Sequence, residues 1–159
     1  MSLSIPAFHV SDQSQVKGRG EVFIASRKDA VSSGTFKIDV SAQFDPTTDD
    51  YPSGSMTLSI DMSDGAKGVV KATSVELMNS YGKHNPTVYM TGRCAGDLGG
   101  GASATKGLRY WVMLANNKVS TDPAGTPDIV GFALHDHNGT RVAYGTGPLR
   151  SGDISVAPK

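Results

Sequence analysis

Strict alternation of apolar and polar side chains is the feature that most restricts this chain. From Phe36 the sequence puts Phe36, Ile38, Val40, Ala42 and Phe44 on one side of an extended segment, with Lys37, Asp39, Ser41 and Gln43 on the other. Met56, Leu58, Ile60 and Met62 repeat the pattern against Thr57, Ser59 and Asp61. Successive side chains of a strand point to opposite faces, so a period of two reads as antiparallel strands with one face buried and one in water.

Comparable stretches follow along the chain. Val69–Met78 is rich in β-branched residues. Thr87–Cys94 sets Val88, Met90 and Cys94 against Tyr89 and Arg93, and Leu108–Ala115 sets Leu108, Tyr110, Val112 and Leu114 against Trp111 and Met113. Ile129–Asp136 is apolar on both sides, as suits a central strand. Thr140–Thr146 and Asp153–Val156 close the chain, while Glu21–Ala25, with a shorter piece at Ala7–Val10, opens it. Asp64-Gly65 and Asn138-Gly139 are hairpin dipeptides, because both residues accept positive φ. Asp45-Pro46, Asn85-Pro86, Asp122-Pro123 and Thr126-Pro127 punctuate other connections. The pattern predicts one all-β domain over residues 1–159, an up-and-down antiparallel meander of eight or nine strands closed into a barrel in preference to a sandwich.

Composition agrees and excludes several classes. Glycine numbers 19, and glutamate occurs only at Glu21 and Glu76, so tight turns are well supplied and helix formers are thin. Lysine plus arginine equals aspartate plus glutamate at 15 each, with no basic run. Phosphate neutralisation supplies most nucleic-acid affinity, so this balance argues against a nucleic-acid partner. Cys94 is the lone cysteine, which rules out an intrachain disulfide. The first residues lack the basic and apolar regions of a signal peptide, and no apolar run is long enough for a membrane-spanning helix.

Candidate chemistry is sparse. His135-Asp136-His137 places two imidazoles on one face of a strand, the start of a metal site if His84 or His9 adds a third ligand; the hairpin reading of Asp136, His137 and Asn138 competes with it, and no metal is expected. His84, His135, Tyr81 and Tyr144 are the candidates for acid–base work, with Asp128 and Arg141 able to orient a histidine. Cys94 ends an apolar alternation and reads as a small buried hydrophobe before it reads as a nucleophile. Gly99-Gly100-Gly101 lacks the Gly-Lys-Ser/Thr ending of a phosphate loop. Asp45, Asp49 and Asp50, with Asp61 and Asp64 beyond, form an acidic stretch without the spacing of a calcium loop. Met56, Met62, Met78, Met90 and Met113 all fall in strands. Methionine adapts to irregular volume, so the set suits either plain core or a lined cavity.

The C-terminal half carries a resemblance. It runs through Met90-Thr91-Gly92-Arg93-Cys94, Leu114-Ala115-Asn116-Asn117, Gly125-Thr126-Pro127-Asp128-Ile129-Val130-Gly131-Phe132 and a closing Tyr144-Gly145-Thr146-Gly147-Pro148-Leu149-Arg150-Ser151-Gly152-Asp153-Ile154-Ser155-Val156. This resembles a group of bacterial exported β-domains of no established activity, with Asp153 standing where the group has asparagine. The resemblance implies a fold and export. Small barrels of the allene oxide cyclase type are similar in size and strand count, an analogy of fold alone.

Three functional expectations follow. The first is a barrel that binds a small apolar molecule inside, with Tyr89, Arg93, Trp111, Met90 and Met113 as binding residues, or serves as a non-catalytic structural module. The second is a cofactor-free isomerase, cyclase or lyase. The third is an assembly module that pairs through edge strands.

Overall fold

The structure, a computed structural model, describes residues 14–24, 33–63, 65–81, 86–98, 107–117 and 127–158. Nine strands appear among them: β1 (Ser14–Ile24), β2 (Gly34–Phe44), β3 (Ser53–Met62), β4 (Lys67–Ala72), β5 (Leu77–Tyr81), β6 (Thr87–Asp97), β7 (Leu108–Ala115), β8 (Ile129–His135) and β9 (Arg141–Pro158). The order is β4-β3-β2-β1-β9-β8-β7-β6-β5, every pair is antiparallel, and β4 also pairs with β6. That pairing closes an eight-stranded barrel and leaves β5 as an extra strand along the rest of the β6 edge. The expected meander and barrel are what the chain forms.

Burial follows the alternation. Phe36, Ile38, Val40 and Ala42 on β2 face inward beside Met56, Leu58, Ile60 and Met62 on β3, all 3% exposed or less. Tyr110, Leu114, Phe132, Leu134 and Ile154 continue the core from the other wall. The Phe36 and Phe132 rings meet edge to face with centroids 4.7 Å apart, joining β2 to β8 through the middle. Met56, Met62, Met78 and Met90 lie in this core; Met113 does not.

Three boundaries differ from expectation. β1 begins at Ser14, seven residues before the expected start at Glu21, and pairs with both β2 and β9. The last two expected strands are one 18-residue strand. It pairs with β8 up to Pro148 and with β1 from Leu149, with a register shift at the handover. The expected Val69–Met78 strand is split instead into β4 and β5. Between them Thr73 and Ser74 both donate their N–H to the Arg93 carbonyl, which breaks the ladder. The Ser74 carbonyl turns into the barrel, where the buried Tyr110 hydroxyl donates to it at 2.8 Å. Gly92 makes that approach possible, because a Cβ there would collide with the Ser74 oxygen.

The Asn138-Gly139 hairpin is present with different geometry. Gly139 alone takes positive φ, at 79°, while Asn138 does not. The Asp136 carboxylate closes the turn by accepting the N–H groups of Asn138 and Thr140, each at 2.9 Å.

Candidate functional site

Alternation along β6–β9 sorts the candidate residues to two faces. Met90 and Cys94 face inward with Tyr110; Tyr89, Arg93, Arg109, Trp111, Met113, His135 and Tyr144 face outward. The expected binding residues are thus divided, with Met90 in the core and the other four outside.

Ladder register then assembles the outer face in rows. One row sets Arg93 opposite Arg109, Arg109 opposite His135 and His135 opposite Arg141. The next reads Leu77, Thr91, Trp111, Ala133, Tyr144, and the third Asn79, Tyr89, Met113, Gly131, Thr146. Large apolar surface is left in water here: Trp111 is 49% exposed, Leu77 44% and Tyr89 37%.

The first row brings cations together. Like charges directly opposite on a ladder repel. Glu76, just before β5, offsets this for the arginine pair: Arg109 hydrogen-bonds its Oε2, and Arg93 Nε lies 3.4 Å from its Oε1. The Arg109 hydrogen bond, and then the nearby guanidinium charges, hold the Glu76 carboxyl below its ordinary value despite some desolvation. The Arg141 guanidinium stacks 3.7 Å above the Tyr144 ring.

An open cavity of about 500 Å³ lies on this face, lined by Arg93, Gly107, Arg109, Trp111, His135, Asp136, His137 and Gly139. The groove thus holds two guanidinium groups, both paired with Glu76 at its edge, beside an Asp136 carboxylate that the turn N–H groups engage. The Nδ1 of His135 and the Tyr144 hydroxyl are buried and lack a hydrogen-bond partner among the described residues. Buried polar atoms are otherwise nearly always hydrogen-bonded, so both are exceptions. Two further cavities, of about 510 and 460 Å³, open on the outer face around β1–β4 among residues of both signs.

The other candidates separate. His135 and His137 share the groove, but no cluster of three metal-ligating side chains occurs among the described residues. His9, His84 and Gly99–Gly101 lie outside the described residues, and Tyr81 ends β5. Asp128 does not orient His135. It sits fully buried at the start of β8, where its carboxylate accepts the Ile154 N–H at 2.8 Å and the Asn117 N–H at 2.9 Å. Cys94 is buried, and desolvation pushes its thiol up to about 11, so the nucleophilic thiolate is suppressed at neutral pH.

Arg109 and Glu76 were not among the expected site residues. Arg109 was within reach, since it shares Trp111's face by period two. Glu76 was not, because its two ion pairs depend on the break after β4. Comparison of the chain with protein-family models, curated proteins and solved structures finds no match.

Proposed function

We propose that this protein is a non-catalytic recognition module, a packed barrel that uses the outer face of β6–β8 to bind a group combining a carboxylate with an aromatic or apolar surface. One observation carries the reading: half-exposed Trp111 shares an open groove with Arg93, Arg109, His135 and His137. Arginine forks suit carboxylates, and an exposed indole offers a broad face for a ring. The described inward positions hold packed side chains, which favours the outer face over the interior as the binding surface.

Trp111 is the sole tryptophan, so its indole N–H gives one identifiable NMR signal. Titration with 3-phenylpropionate is expected to move that signal together with the backbone amides of Arg93, Arg109 and His135, and Arg109→Ala to abolish the shift. A flat titration at millimolar ligand would overturn the reading.

A further inference from the structure

The groove calls for an acidic, ring-bearing occupant, and the chain carries one elsewhere. From Ile38 to Ala66 there are six aspartates and no lysine or arginine. The β2–β3 loop, residues 45–52, lies within this stretch. Two of its carboxylates are bound into the loop itself: Asp45 accepts from the Thr47 N–H and hydroxyl, and Asp49 from the Asp45 N–H. Asp50 is exposed beside them, and Tyr51 is 73% exposed, the most exposed large hydrophobic side chain among the described residues.

The two features lie at opposite ends of the barrel. In an antiparallel meander successive connections alternate between ends. Phe44, where β2 runs into the acidic loop, is opposite Ser14, and Ser14 is opposite Pro158 at the end of β9. The groove adjoins the turn at 136–140, where β9 begins.

We propose that copies of this chain associate head to tail, with Asp50 and Tyr51 of one copy seated in the Arg93–Trp111–His135 groove of the next. The inference rests on the groove being a recognition surface. A second copy is favoured over a foreign partner because the chain itself supplies, in adjacent Asp50 and Tyr51, the exposed carboxylate and ring that the groove suits, and it carries them at the end of the barrel away from its own groove. Asp50 would approach the arginines, and the Tyr51 ring would meet the Trp111 indole. Such a contact joins two different surfaces, so every copy keeps one free loop and one free groove. It therefore propagates into a ring or an open filament and does not stop at a symmetric dimer.

Sedimentation velocity on the full chain tests this. In low salt the wild type is expected to grow beyond dimers between micromolar and millimolar concentration, and ~1 M salt, with a screening length of about 3 Å, to reverse it. A loop variant (Asp50→Ser with Tyr51→Ser) and a groove variant (Arg93→Glu) should each stay monomeric, with far-UV spectra unchanged. Mixed in equal amounts they retain one competent contact per pair, so they should form one-to-one dimers and nothing larger. A wild type that stays monomeric at millimolar concentration overturns the inference, as does association that survives both variants. If 3-phenylpropionate still moves the Trp111 signal, the head-to-tail contact alone has failed; if it does not, the groove reading has failed as well.

Discussion

Tyr110 and Trp111 are neighbours on β7 and occupy opposite worlds. Tyr110 is fully buried, packed in the core, with its hydroxyl committed to the Ser74 carbonyl. Trp111 is half exposed, in a face that sets arginine against arginine and leaves His135 Nδ1 without a partner among the described residues. The outer face of β1–β3 shows that such a surface is no necessity of the fold. Its rows read Ser59–Lys37–Glu21–Ser151 and Thr57–Asp39–Arg19–Asp153, so charges meet opposite signs or hydroxyls. Glu21 binds both Lys37 and Arg150. The contrast is one of charge: the β1–β3 face pairs opposite signs along its own rows, while the β6–β9 face sets arginine opposite arginine and needs Glu76, from outside the ladder, to offset them.

The sharpest attempt to break this contrast compares the two neighbours directly. Tyr110→Ala empties a core position and should cost about 3–5 kcal/mol in urea unfolding, the range for large aromatic truncations. Trp111→Ser should cost about 0.5 kcal/mol, as for surface changes. Comparable losses would mean that Trp111 is a structural residue and the division is false.

A middle-sized effect is expected at Asp128. Asp128→Ala leaves two backbone N–H groups without their acceptor and should destabilise by about 2–4 kcal/mol, measured in the same way. The loss should leave the Trp111 NMR signal in place, because Asp128 lies at the far end of β8 from the groove. A shifted indole signal would tie the two regions together.

The smallest effect belongs to Glu76. Its folded carboxyl is held below the ordinary value of 4.5, so its contribution to stability is present above that pH and is lost as pH falls through the folded value. Glu76→Gln should therefore slightly lower the urea midpoint at pH 7, and the difference from wild type should vanish in acid and shrink in high salt. A difference that persists at pH 2 would show that Glu76 acts through packing, not charge.

Much of the fold was legible in the residues. The β2 and β3 alternations named their inward side chains correctly, because a half-buried strand can bury only every second residue. β1 was partly hidden because Gly18 and Gly20 hold inward positions; at Gly20 the Leu149 side chain from β9 fills the space a Cβ would take. In the sequence β9 reads as two strands because Pro148 and Gly152 look like stops. Pro148 is tolerated where the strand changes partners, and a register shift absorbs the extra residue. Part of the candidate site was legible too: alternation alone places Arg93 and Tyr89 on one face of β6, and Trp111 on the face of β7 opposite Tyr110.

The amino-acid sequence by itself determined the class of fold, the strand-forming stretches and, strand by strand, which residues face in or out, since these follow from the local geometry of an extended chain. Tertiary structure decided which outward residues meet. Arg93, Arg109 and His135 are separated by 16 and 26 positions and become neighbours only through the register of three strands. Glu76 reaches the arginines only because the ladder breaks between β4 and β5. Register is a property of strand pairs, fixed by how complete cores fit together, and no single strand carries it.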